Sequence, residues 1–216
     1  EPVRVRGAGR TDAGVHASGQ VAAVRVARPP DDLDRLRASL NALLPTSIVV
    51  AEVALADDAF DPRRAAVRRC YEYRIWRAPA PSPFWRRYAW HVWGPLDMGA
   101  MDAAGRMVVG QHDFRAFRAS DADPVRTTVR RVFESRFETR DALLVYRIEA
   151  NAFLKHMVRT LVGTLVEIGR GQRAVESMAE LLAGAPRGAA GPTAPPHGLV
   201  LKHVRYDEPA TEPSTP

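Results

Sequence analysis

Three stretches of the 216-residue chain hold residues whose types and spacing could do chemistry. In GAGRTDAGVH, residues 7–16, Asp12 stands between Arg10 and His16 on a glycine-rich run. No Gly-Lys-Ser/Thr follows, so the lysine of a phosphate loop is missing, and the spacing is not that of a dinucleotide fingerprint. What remains is an acid on a turn whose glycines let another backbone come close. By pattern alone, a turn cap is the commoner use of such an aspartate. A metal pair of Asp12 with His16 is conceivable. Metal sites want three or four ligands, however, and the other histidines (91, 112, 156, 197 and 203) are scattered singly, so no metal is expected.

The second stretch is RRCYEYRIW. As a strand it puts Tyr71, Tyr73 and Ile75 on one face and Glu72, Arg74 and Trp76 on the other. Two core tyrosines are the usual meaning, and a ring that stacks on a base is the functional one. The third is ANAFLKHMVRTLVGTLVEIGRG, residues 150–171. As a helix it aligns Phe153, Met157, Leu161, Leu165 and Ile168, leaving Arg159 on a mostly apolar element. A guanidinium there needs an anionic partner. Asp12 would serve, and so would any surface acid.

The elements that must position these residues follow from spacing. Val3 and Val5 alternate with Arg4 and Arg6 as a strand, Val21–Val26 reads as the next, and Asp31–Leu44 as a helix stopped by Pro45. Strands are expected at Ile48–Leu55, Tyr71–Arg77, Val129–Phe137, Leu143–Ala150 and His197–Tyr206. Helices are expected around Met98–Val108, from Ala152 to Ile168, and from Ala174 to Leu182. The proline-rich run 78–85 would cross between two halves, and the polar end of the chain reads as a mobile tail. Hairpin-length links between strands argue α+β over a parallel doubly wound sheet.

Composition narrows the functions. Apolar residues make up 46% of the chain, which excludes wholesale disorder, and no run approaches the roughly 20 apolar residues of a membrane span. The lone cysteine, Cys70, excludes a disulfide framework and any multi-cysteine metal site. Net charge is +6, and all but two of the basic residues (Lys155 and Lys202) are arginines, a bias that suits phosphate and nucleic-acid surfaces. The sequence opens at Glu1 inside a strand pattern and reads as lacking its true start. The cytoplasm is the expected compartment.

GAGRTDAGVHASGQVA resembles the signature of the tRNA pseudouridine synthase A family. FDPRRAAVRRCYEYRIW is similar to its F-x-A-R-x-S-A-x-x-R-x-Y-x-Y segment, GQHDFRAFRAS to D-F-x-S-F-R, and RTTVRRV to R-T-x-x-R. ANAFLKHMVRTLVG resembles its A-N-A-F-x-x-H/R-M-V-R helix, and HGLVLKHVRYD its closing G-L-x-L strand. They appear in family order along nearly the whole chain. The resemblance implies two α+β halves of ferredoxin-like (RRM-like) topology, with mixed or antiparallel sheets, joined around a central cleft. Here they would be residues 1–85, carrying the Asp12 loop, and 86–207, with 208–216 as the tail. It implies a homodimer that binds tRNA, no membrane, and no metal or organic cofactor.

The reaction implied is isomerisation of uridine to pseudouridine at positions 38, 39 and 40 of the anticodon stem-loop. A bond from ribose to a ring nitrogen breaks and one to a ring carbon forms. A carboxylate that holds one partner covalently splits that hard step into easier ones. Asp12 matches the family's nucleophile and Arg159 the residue that pairs with it, favouring its ionised form. Arg10 matches the base-flipping arginine. Tyr71 matches the tyrosine that stacks on the flipped uracil and is a candidate for taking the proton from its ring carbon. Phe60, Arg63 and Arg64, with Arg118 and the segment Asp121 to Arg126, match positions facing tRNA. Three departures stand out. The family's opening Y-D-G-T-x-F-x-G-W-Q strand and the helix after it are absent, Pro62 replaces a small residue, and Cys70 sits where a basic or polar residue is common. An RNA-binding protein without activity, and a carboxylate enzyme acting on small nucleosides, are the alternative readings.

Overall fold

In the computed structural model, which describes residues 3–121 and 126–207, the alternating and helical patterns become nine strands and four helices. They gather into two compact units. One is formed by the chain up to Ala8 together with Val21–Ala65. The other is formed by Gly9–Gln20 together with the chain from Ala66 onward.

In the first unit, β1 (Val5–Gly7) pairs antiparallel with β3 (Ala22–Val24), Val5 facing Val24. Helix α1 (Leu33–Leu43) starts where expected, because the Asp32 carboxylate accepts a bond from the Arg35 amide at 2.9 Å. It ends at Leu43, because Leu44 precedes Pro45, whose ring disfavours helical backbone there, and is extended. The strand expected over Ile48–Leu55 does not form. Its backbone is engaged by side chains of α1 instead of a neighbouring strand. Asn41 donates to the Val50 carbonyl at 3.0 Å and accepts from the Val50 amide at 2.7 Å, while Arg37 donates to the Ala51 carbonyl. β-Branched residues fit a pleated surface but cannot supply the partner that makes one.

The second unit is built on a mixed sheet ordered β2-β9-β4-β8-β7-β6. Its strands are β2 (His16–Ala17), β4 (Arg68–Trp76), β6 (Gly110–Asp113), β7 (Val129–Arg140), β8 (Leu143–Ala150) and β9 (Leu199–Arg205). β2 runs parallel to β9, and the other neighbours in that order are antiparallel. The proline-rich stretch leaves β4 and comes back to it, since β5 (Trp90–His91) runs parallel to the end of β4. The α+β class with mixed and antiparallel pairing is thus the observed one.

Period-two alternation decides what each sheet face carries. Tyr73, Ile75, Leu144, Tyr146 and Ile148 are fully buried against α2 (Met98–Met107) and α3 (Met157–Gly169), which supply Met101, Ala104, Met157, Leu161 and Leu165. The opposite face is charged. Arg147 bridges Glu72 and Glu134, Lys202 reaches Glu72 at 3.7 Å, and Arg68 reaches Glu149 at 3.4 Å. Glu72 and Glu149 are buried, so those cations are what makes their burial tolerable.

Two helices are shorter than their patterns. α4 spans Ser177–Leu182, with a turn over its first expected residues. The larger correction concerns α3, which begins at Met157 and not at Ala152. Residues 151–156 are tied down in other ways. The Asn151 side chain accepts from the amides of Arg131 and Ala152 at 3.0 and 2.9 Å, and the Lys155 carbonyl accepts from the Ala119 amide. Phe153 therefore leaves the helical stripe predicted for it.

Candidate active site

The loop 9–20 is held on β9 at its far end and closed on itself at its base. His16 and Ala17 pair with Val200 and Leu201, the Ser18 amide donates to the Leu201 carbonyl at 2.9 Å, and Gln20 donates to the Gly9 carbonyl at 3.1 Å. A close backbone approach does occur, at Gly19. A Cβ there would stand 2.2 Å from the Lys202 carbonyl oxygen, so only glycine lets the loop lie on β9. His16 is an anchor, its Nε2 lying 2.8 Å from the Arg87 carbonyl and its ring 4.9 Å from that of Tyr88. It does not join Asp12 as a ligand pair.

So held, the loop presents Asp12 to the start of α3. Arg159 Nη1 donates to Asp12 Oδ2 at 2.9 Å. The arginine side chain is only 12% exposed, and its Nε donates to the Ala194 carbonyl at 2.7 Å, while the Ala194 amide returns a bond to the Arg159 carbonyl. The guanidinium is thus fixed by a bond that does not involve the acid, and is preorganised for it. Of the partners open to Arg159 in the sequence, the structure selects Asp12.

A residue that the sequence reading passed over completes the group. His156, at the N-cap of α3, brings Nε2 to 3.3 Å from the same Asp12 Oδ2. It adopts the left-handed conformation (φ 65°), which turns the chain out of the 151–156 loop and into the helix. Its imidazole is held below the ordinary range, chiefly by burial and secondarily by Arg159 and Lys155, against the upward pull of Asp12 and Asp121. The one sequence signal was the H/R position of the motif. A continuous helix from Ala152 gave no reason to aim it at Asp12.

Tyr71 lies on β4, 9% exposed, with its ring edge-on to Phe153 at 5.0 Å and its hydroxyl directed at the loop near Gly9. Burial pushes the phenol up to about 12, and the Asp12 charge adds to the effect, so at working pH it is a neutral hydroxyl. Tyr73 is the structural one of the pair. It is fully buried and donates to the Pro195 carbonyl at 2.7 Å.

The remaining predicted residues are not gathered into this cluster. Arg10 is exposed on the same loop, two residues before Asp12. Arg118 is half-buried in the second unit and Arg126 is exposed. Residues 122–125 of the segment Asp121 to Arg126 lie outside the described residues, while Asp121 pairs with Lys155 at 2.7 Å. Phe60, Arg63 and Arg64 belong to the first unit. There the Asp61 carboxylate accepts the amides of Arg63 and Arg64 and pairs with Arg6, leaving both arginine side chains exposed.

Histidines scattered singly in sequence do meet other donors in space. Among the described residues, Cys70, Glu149 and His203 bring a sulfur, a carboxylate oxygen and a ring nitrogen within 4.8 Å of one another. They are register partners on β4, β8 and β9, on the charged face. Glu149 there is already held by Arg68 and by His203 at 3.1 Å, and burial pushes the Cys70 thiol up to about 12, so it stays protonated.

A nucleophile-capable carboxylate, oriented from one side and beside a buried phenol, is the equipment of an enzyme that works through an acid on a loop. Comparison with known proteins makes this specific. The family model described as tRNA pseudouridine synthase matches residues 104–207, which take in His156 and Arg159. The tRNA pseudouridine synthase A of Syntrophotalea carbinolica is 46% identical over 198 residues, 92% of this chain and 78% of that protein. The protein of the same description from Myxococcus xanthus is 45% identical over 94% of this chain and 77% of its own length. That from Geobacter sulfurreducens is 44% identical over 95% and 84%. The chain belongs to the tRNA pseudouridine synthase A family, a family of isomerases.

Proposed function

We propose that this protein isomerises uridine to pseudouridine in the anticodon stem-loop of tRNA, at positions 38, 39 and 40, with Asp12 as nucleophile. The observation that carries the reading is the 2.9 Å ion pair between Asp12 and Arg159, residues 147 apart in the chain. An acid that merely capped its turn would need no dedicated, nearly buried guanidinium.

Each residue then has a task. The target base leaves its stack at a cost of about a few kcal/mol, and Arg10, exposed beside the nucleophile, takes the space it vacates. The bond from the ribose carbon to uracil N1 breaks and a bond from that carbon to C5 forms. C5 loses its proton and N1 gains one, so atoms and charge balance over the cycle. Asp12 holds one partner covalently while the base turns over, and leaves as the carboxylate paired to Arg159. Tyr71 offers an aromatic edge and a neutral hydroxyl next to the ring. Phe60, Arg63, Arg64, Arg118 and Arg126 contact the tRNA, the arginines through its phosphates, so that affinity falls as salt rises. The same reading carries two ferredoxin-like halves, 1–85 and 86–207, in a cytoplasmic homodimer. Its support is the motif resemblance and, for the halves, the α+β class of the sheet.

Tritium release from tRNA labelled at uracil C5 tests it. The protein should release tritium and the Asp12→Asn variant should not. Release by both would remove Asp12 from its role. Silence from both with tRNA still bound would favour RNA binding without catalysis.

A further inference from the structure

We infer that His156 is a positioning residue which, as a neutral imidazole, shares Asp12 Oδ2 with Arg159 and so leaves Oδ1 as the attacking oxygen. The inference rests on the reading of Asp12 as nucleophile and adds to it which oxygen reacts and in which protonation state of its neighbour.

The geometry is one-sided. Both contacts to the carboxylate, Nη1 of Arg159 at 2.9 Å and Nε2 of His156 at 3.3 Å, go to Oδ2. A carboxylate held by one oxygen keeps the lone pairs of the other, and its rotation about the Cβ–Cγ bond is stopped. The tautomer follows. A bare Nε2 lone pair close to a carboxylate oxygen would be repelled, so a neutral ring carries its single proton on Nε2, 3.3 Å from Oδ2, as a polar contact and not an aligned hydrogen bond. The charged and titratable groups facing His156 are Asp12 on the loop, Arg159 on α3, its neighbour Lys155, and Asp121. Two cations and burial stand against a second proton, and two acids stand for it. If that proton is gained, a second full positive charge lies against Oδ2 and draws electron density from the nucleophile. The reaction should therefore slow as pH falls below the ordinary imidazole range.

Backbone shape supplies a control. His156 sits at φ 65°, where glycine is more comfortable than any residue with a Cβ. If its task were only to turn the chain into α3, His156→Gly would be at least as stable and as active. We expect His156→Gly to fold with unchanged or higher urea midpoint yet to lose about tenfold in kcat, the effect of one lost orienting polar contact, with KM for tRNA little altered. His156→Gln, whose amide N–H can take the place of Nε2–H but does not titrate, should recover part of that loss. Its pH profile should lack the acid limb of the parent. A glycine variant with parental kcat, or a glutamine variant that keeps the parental acid limb, would overturn the inference. A second readout needs no activity. The His156 ring titration, followed by nitrogen–proton NMR, should move down in Asp12→Asn because an anion has been removed. No movement would mean that the contact is absent, whatever the assay shows. Movement together with an active Asp12→Asn variant would instead place the failure in the nucleophile assignment.

Discussion

Arg159 makes two bonds from two different nitrogens, Nη1 to Asp12 and Nε to the Ala194 carbonyl. A lysine carries one compact ammonium and cannot reproduce that fork. Arg159→Lys should therefore keep the charge but lose one of the two bonds, at about 1–3 kcal/mol of stability in urea denaturation and more than tenfold in tritium release. Arg159→Met should be worse in activity, because Asp12 would then face His156 alone. A lysine variant with parental activity would reduce the arginine to a source of charge. Pattern reading reached Asp12, Arg159 and Tyr71 because each residue type is out of place: an acid among glycines, a cation on an apolar helix, an aromatic pair on a strand. His156 was missed for the opposite reason, being an ordinary residue at a helix start whose meaning lies in a backbone angle.

At the scale of elements, α3 positions the site through small and hydroxyl residues that let a loop lie on it. Thr164 accepts the Gly191 amide at 3.0 Å, Thr160 meets Thr193 at 3.2 Å, and the loop ends in the Ala194 bonds to Arg159. Between the threonines, a Cβ on Gly163 would lie 1.8 Å from the Pro192 carbonyl oxygen. Gly163→Ala cannot be accommodated without lifting that loop. The loop carries the carbonyl that aims Arg159, so the variant should lose about 1–3 kcal/mol and, in the protein that remains folded at low temperature, activity as well. A parental urea midpoint and parental tritium release would show that the loop does not set the arginine. Helical spacing announced α3, but gave its start five residues early. The bonds that end it there come from Arg131 and Ala119, far away in sequence.

The whole molecule concentrates its burial in the second unit, where α3 is buried along most of its length, whereas α1 in the first unit has no buried residue. The buried groups give that unit a defined alkaline weakness. Burial raises Tyr71 and Cys70 to about 12 from the 10.0 and 9.0 of the unfolded chain, and raises Tyr73 and Tyr146 as well. Between about pH 9 and 12 the unfolded chain releases protons that the folded one retains, so stability is full below that window and falls as pH rises through it. Each such group contributes about 1.4 kcal/mol per pH unit within its own range. The urea midpoint should drop steeply between pH 9 and 11, with tyrosinate absorbance from Tyr71, Tyr73 and Tyr146 appearing only as the chain unfolds. Tyrosinate from these three in a chain that stays folded would contradict their burial.

The sequence by itself determined the α+β class, the alternation that gives the sheet one apolar and one charged face, and an acid, an arginine and a tyrosine that matched a family. These are local matters, settled by side-chain type and period. Only the tertiary structure decided that Ile48–Leu55 has no strand partner, that α3 waits until Met157, and that Cys70, Glu149 and His203 meet across strands. It also decided that His156 and Arg159 take the same oxygen of Asp12. Each of these depends on a hydrogen-bonding group brought from a distant part of the chain. A residue's own neighbours in sequence carry no record of which such group will arrive.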